Sequence, residues 1–291
     1  MRTVADNALK PCSSSDNSAP APSLPTWARL PINRCNLPAV ILGGLAFQRH
    51  PTALVLDGVA ELHAGLFPML DGIEDQAERA RLFRDYLAAH FLLDRLEDAG
   101  IAPHAQARAN ANWQRVLRGW SFDADGREGA VLKGWVESRF GLVPRFHGEP
   151  LRDFTGHAWL RYTEMRAAGL YGTNALEAQL DLLYAYCQYE FKRQFGERAT
   201  PPSLTLYRGI NRIGEHEVLS ESGKRQVVLF NNLTSFTANR ERAGEFGDYI
   251  LAAEVPTAKI FFHCALLPGV LKSEDEHLVI GGAYEVTVGM M

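Results

Sequence analysis

From about residue 74 to residue 170 the apolar side chains recur at helical spacing. Leu82, Tyr86, Ala89, Leu93 and Leu96 step by four, three, four and three, which lays them on one face of a helix ending before Gly100. A second such segment opens at Asn174, with Glu177 three residues on in the manner of a capping box. It continues through Leu180, Leu183, Tyr184, Cys187 and Phe191 to about Gln194. After Pro201-Pro202 the period changes. The runs LTLYRGI, QVVLFNN, DYILAAEV, AKIFFHC, EHLVIGG and AYEVTV are rich in β-branched and aromatic residues and alternate with turns, which predicts strands. One helical segment interrupts them from Asn239 to Phe246, with Asn239 placed to cap it and Gly247 past its end. The pattern predicts an α+β fold, a helical N-terminal region followed by a mostly antiparallel β core. Three parts are expected: a tail over 1–26, a mainly helical region over 27–200 and a β-rich core over 201–291.

The tail is polar and rich in serine and proline, ending in APAPSLP, and lacks the apolar content to offset its ordering entropy, so it is expected to be disordered. It carries Asp6 and Lys10 and no apolar leader segment. Gly43-Gly44 lacks the third glycine of a dinucleotide fingerprint and reads as a turn. The 291 residues suffice for a large core, and a formal net charge of -4 argues against an electrostatic grip on nucleic acid. No run approaches the roughly 18 apolar residues of a membrane span. Cys12, Cys35, Cys187 and Cys264 form no C-x-x-C pair and are expected to be reduced thiols in a cytoplasmic protein. His63, His90, His104, His147 and His157 share no repeated spacing and read as surface or satisfied core histidines.

Three places carry candidate chemistry. Arg208 lies near the end of a strand in LTLYRGIN; such an arginine either snorkels to water or is held to meet a diphosphate with its planar fork. Gly209 beside it would let a ligand approach the backbone. Ser235-Phe236-Thr237 ends a strand before the short helix; its hydroxyls are either turn caps or orienting groups. No histidine at a telling spacing supports a nucleophilic serine. Glu274-Asp275-Glu276 precedes the apolar run LVI. It is either a solvated acidic turn or, if both glutamates open a strand, a pair on one face with Cα atoms roughly 6–7 Å apart.

In this order the three places resemble the R-S-E class of arginine-directed mono-ADP-ribosyltransferases. That class has an arginine on a first strand, S-x-S/T before a helix, and E-x-E opening a later strand. The correspondence runs through Arg208, Ser235 with Thr237, and Glu274 with Glu276, and extends to Ala243 and Phe246 of the helix. Phe236 stands where the toxins of the class usually have threonine, and the loop ALLPGVLKSED lacks the aromatic residue often found there. These motifs cover residues about 203–291. The whole chain, with its PINRCNLP segment and helical region, resembles the bacterial dinitrogenase reductase ADP-ribosyltransferases.

The resemblance implies NAD as co-substrate, with its site in the β-rich core and no metal. It implies that Arg208 holds the pyrophosphate, that the Gly209 backbone meets the nicotinamide amide, and that Ser235 and Thr237 line the NAD site. Glu276 would stabilise the ribosyl cation, oriented by Ser235, and Glu274 would engage the acceptor guanidinium. It further implies the nitrogenase iron protein as acceptor and a PII-type signalling protein as regulator. An NAD glycohydrolase, a transferase with another target and a non-catalytic interaction protein remain as alternatives.

Overall fold

In the computed structural model, which describes residues 22–93, 111–171, 173, 175–196, 201–212, 216–268, 270 and 275–290, helices fill the N-terminal part. A six-stranded antiparallel sheet fills the C-terminal part, so the fold class is α+β. Helix α1 (Gln76–His90) starts where Asp75 accepts a hydrogen bond from the Glu78 amide. It stops at His90, and Leu92 takes a left-handed φ of 52°, so Leu93 lies beyond the helix; Leu96 and Gly100 fall outside the described residues. Its buried stripe is Ala80, Phe83 and Leu87, while Leu82 and Tyr86 are half-buried and Ala89 is exposed. The cause is tertiary: Phe83 stacks on Tyr186 with ring centroids 4.0 Å apart, and the buried Arg79 forks onto Glu190, which turns that face inward.

Helices α2 (Trp113–Phe122), α3 (Arg127–Phe140), α4 (His157–Gly169) and α5 (Ala175–Phe195) follow. Asn112 caps α2 by accepting from the Gln114 amide. Helix α3 is buried nearly all round and ends at Gly141, whose left-handed φ of 69° disfavours a side chain. Arg139 on α3 meets both carboxylate oxygens of Asp181 on α5 at 2.7 and 2.8 Å and reaches Glu177 as well. Asn174, the expected cap of α5, lies outside the described residues.

The strands of this sheet are β1 (Ser203–Ile210), β2 (Glu217–Ser222), β3 (Arg225–Thr237), β4 (Tyr249–Pro256), β5 (Ile260–His263) and β6 (Glu276–Met290), with helix α6 (Arg240–Gly244) between β3 and β4. Strand β6 is the spine. It pairs with β3 along one side, from Thr237↔Glu276 to Arg225↔Thr287, and on the other with β5 near its start and β4 near its end. Strand β1 pairs with β4 throughout and returns to touch β3 at Tyr207↔Thr237, so the sheet bends back on itself.

Two details differ from the sequence pattern. EVLSES forms β2, although no strand is expected there, and EHLVIGG and AYEVTV are one strand rather than two. The glycines between them allow close approach instead of a turn. A Cβ on Gly281 would stand 1.7 Å from the Asn231 carbonyl oxygen, and one on Gly282, at φ 115°, 2.5 Å from that of Gly43. Gly43-Gly44 does turn the chain between two short helices, and this turn docks on β6, where Ala283 N–H donates to the Gly43 carbonyl. Helices and sheet share one apolar core, with Trp135 of α3 against Phe261 of β5 at 4.7 Å between ring centroids. Among the described residues, Cys35, Cys187 and Cys264 form no disulfide. Among the described residues no helix is long and apolar enough to cross a membrane.

Candidate active site

The bend of the sheet assembles the site. Because β1 touches β3 at Tyr207↔Thr237, Arg208 comes to lie beside the end of β3, and its Nη1 donates to the Ser235 carbonyl at 2.9 Å. Because β3 pairs with the start of β6, Ser235 lies next to Glu276, and the Ser235 hydroxyl donates to Glu276 Oε1 at 2.5 Å. The side chains of Arg208, Ser235 and Glu276 are half-buried, which suits groups that must bind a ligand yet hold one orientation. A carboxylate accepting a short hydroxyl bond is a charge-assisted contact and holds its rotamer well.

A fourth group comes from the helical part. Trp120 on α2 is buried, and its indole N–H lies 3.1 Å from both Ser235 Oγ and Glu276 Oε1. The indole can only donate, so both oxygens act as acceptors towards it. Sequence reasoning missed this residue. Trp120 is 115 positions from Ser235 and 156 from Glu276, and its helical spacing marks it only as a core residue.

The end of β3 is braced from the other side. Asp275 has a left-handed φ of 63°, and its Oδ2 accepts from Thr237 Oγ1 at 3.1 Å and from the Ala238 amide at 3.0 Å. The Thr237 hydroxyl in turn accepts from the Asn239 amide, and Asn239 caps α6 by accepting from the amides of Glu241 and Arg242, as its position predicts. Thr237 is thus tied into this turn. Glu274 lies outside the described residues. The strand begins at Glu276, and Asp275 just before it has left-handed backbone.

Gly209 has a packing reason to be glycine. A Cβ there would stand 1.8 Å from the Ala243 carbonyl oxygen and 3.2 Å from Phe246 Cβ, so its small size lets α6 lie on β1. Phe236 is buried against Phe230 at 5.2 Å between centroids and belongs to the core. His216, which sequence reasoning did not single out, has its pKa pushed down to about 4 by burial and by the nearby Arg208 charge, so it is neutral at pH 7.

The arrangement is a fixed carboxylate and an arginine linked through Ser235 where the sheet bends back on itself. A carboxylate held in advance stabilises positive charge developing on a substrate, and a guanidinium meets phosphate oxygens in pairs.

Comparison with known proteins gives two matches. The sequence model of the family described as dinitrogenase reductase ADP-ribosyltransferase matches residues 32–288. The NAD(+)--dinitrogen-reductase ADP-D-ribosyltransferase of Rhodospirillum rubrum is 41% identical over 261 residues, covering 87% of this chain and 93% of the relative. No solved structure matches at a significant level.

Proposed function

The chain belongs to the dinitrogenase reductase ADP-ribosyltransferase family, and from that premise we propose that it moves ADP-ribose from NAD to an arginine of dinitrogenase reductase, the nitrogenase iron protein. Nicotinamide is released and nitrogenase is switched off. The observation that carries this reading for the residues themselves is the convergence of Ser235 Oγ and Trp120 Nε1 on one oxygen of Glu276, with Arg208 bound to the backbone of the same serine.

In this reading NAD is a co-substrate and the enzyme a glycosyltransferase. Arg208 grips the pyrophosphate, and the Gly209 backbone and Thr237 lie along the NAD site. The bond between the ribose anomeric carbon and the nicotinamide nitrogen breaks, and its electron pair leaves with nicotinamide, neutralising the ring. The ribose passes through an oxocarbenium-like state, which needs an anion beside it, and Glu276 is that anion. The acceptor guanidinium then bonds to the anomeric carbon through a nitrogen and loses one proton. A guanidinium is a poor nucleophile until a base draws off charge, and Glu274 is the base. Ser235 and Trp120 keep Glu276 in position. The enzyme works in the cytoplasm, and a PII-type nitrogen-signalling protein regulates it. A mainly helical region spans 27–200 and the catalytic core 201–291; at the end of the expected tail, Leu24 is buried in the core and Thr26 opens a short 3-10 helix, so the ordered chain begins before residue 27.

The test is Glu276→Gln, assayed for nicotinamide release and for labelled ADP-ribose on purified dinitrogenase reductase. Both activities should fall by on the order of 10²–10³-fold or more, with NAD binding largely kept. Near-normal turnover would remove Glu276 from the chemistry. Nicotinamide release by the wild type with no label on the acceptor would point to an NAD glycohydrolase or to a different target.

A further inference from the structure

Two imidazoles hold the backbone at Asp275 and Glu276. His263 and His277 are register partners on β5 and β6, and their rings stack with centroids 3.7 Å apart and planes 10° apart. His263 Nδ1 lies 3.1 Å from the Glu276 carbonyl oxygen, and His277 Nδ1 lies 3.2 Å from that of Asp275. A carbonyl oxygen only accepts, so each Nδ1 carries a proton. His263 Nε2 faces Asp275 Oδ1 at 3.9 Å, a second acceptor-only atom. With a proton on both nitrogens, His263 meets an acceptor at each; as a neutral ring it would turn a lone pair towards a carboxylate. Two cations stacked this closely repel, so the pair takes one charge, and burial together with His263 pushes His277 down to about 4. Burial opposes a charge on His263 too, but the Cys264 side chain, the Glu276 carbonyl and Asp275 outweigh it and hold its pKa above the ordinary imidazole value. The Cys187 thiol on α5, which meets the His263 backbone, is pushed up by burial and stays neutral. The cavity that both rings help to wall is also lined by Glu74, Arg79, Glu190 and Arg193, two acids and two bases whose charges offset.

We propose that His263, as an imidazolium, is a positioning residue for Glu276, clamping the Glu276 carbonyl with one N–H and the Asp275 carboxylate with the other. The inference rests on the reading of Glu276 as the anion beside the ribosyl cation. Asp275 passes the hold on, because its Oδ2 accepts from Thr237 Oγ1 and the Ala238 amide at the end of β3. Charged His263 therefore ties β5 and the turn before β6 to the strand that carries Ser235, which bonds the Glu276 side chain. Asp275 has a left-handed φ of 63°, a conformation that a non-glycine residue keeps only where its surroundings fix it. When His263 loses its second proton, the attraction to Asp275 is lost, the turn loosens and Glu276 is set against the ribose less of the time. The charge is present below the raised pKa of His263 and lost as pH rises through it, so the clamp fails on the alkaline side.

The experiment uses full-length protein with isotope-labelled histidine. Imidazole nitrogen shifts are followed by NMR against pH, with His263 assigned through His263→Gln, and nicotinamide release at saturating NAD is measured over the same range. At neutral pH His263 should carry protons on both nitrogens and His277 on Nδ1 alone. As pH rises past the His263 midpoint, kcat should fall about three- to tenfold while KM changes less than about twofold. Asp275→Asn should move the NMR midpoint and the fall in kcat down together. Asparagine removes the charge, yet it tolerates left-handed backbone and keeps an acceptor for Thr237 and Ala238. His263→Gln keeps a donor for the Glu276 carbonyl but cannot be charged, so its kcat should stay at the lower level with no fall over that range. A His263 that is neutral at neutral pH, or a midpoint unmoved in Asp275→Asn, would overturn the ion pair. An alkaline fall in kcat that persists unchanged in His263→Gln would overturn its hold on Glu276. The NMR titration needs no turnover, so failure of the clamp is told apart from failure of Glu276 as the catalytic anion, which Glu276→Gln reads.

Discussion

Replacing Trp120 by phenylalanine removes one indole N–H and part of a buried ring, and separates positioning from chemistry. In the wild type the Glu276 oxygen is held by two donors, Ser235 Oγ at 2.5 Å and Trp120 Nε1 at 3.1 Å. A hydrogen bond to a charged group contributes about 1.5–3 kcal/mol, and each 1.4 kcal/mol is a factor of ten in rate. If the bond serves to hold Glu276 against the ribosyl cation, losing it should lower kcat by about ten- to a hundredfold. The NAD grip is assigned to Arg208, on a different strand, so calorimetric NAD affinity should change by less than about threefold. Trp120 is only 4% exposed, so the smaller ring also leaves a void. A packing cost of about 1–2 kcal/mol should lower the melting temperature by a few degrees. The assay is nicotinamide release at saturating NAD, with melting and NAD binding measured on the same preparation. A kcat within twofold of wild type, with that loss of melting temperature present, would show that the indole contributes to packing only.

Arg208→Lys should weaken productive NAD binding despite keeping the charge, because an ammonium cannot meet two phosphate oxygens in one plane; calorimetry showing unchanged affinity would refute this. Glu274→Gln should abolish labelling of dinitrogenase reductase while much NAD hydrolysis survives, since water can capture the ribosyl cation without a base for a guanidinium. Equal loss of both activities would move Glu274 to the NAD side. Thermal stability should fall as the pH is lowered from about 6.5 towards 4.5. His147 and His216 are both held down at about 4, the first by burial and Lys133, the second by burial and Arg208. The unfolded chain therefore binds more protons across that window, and stability present above pH 6.5 is lost on approach to the folded pKa values; a flat melting temperature there would count against both assignments.

What the sequence alone determined is what local chemistry encodes. The change of period at Pro201-Pro202 marks helix from strand, because apolar spacing must match the repeat of the element that buries it. Asn239 announces the start of α6 because a cap acts on amides two and three residues away. The Gly43-Gly44 turn is readable for a similar reason. Arg208, Ser235 and Glu276 were legible as a set because their order and spacing resemble a known class.

Only the tertiary structure decided which faces meet. The stripe on α1 follows Phe83 rather than Leu82, because Tyr186 and Glu190 from a distant helix draw that side inward. The glycines of β6 read locally as a turn, yet Asn231 and Gly43 press against them and the strand runs straight through. Trp120 reaches Glu276 across 156 positions, and His263 stacks on His277 only because β5 and β6 pair in that register. Such contacts leave no periodic trace in either partner. Each is chosen by the shared fit of side chains in one closely packed core, which no single segment specifies.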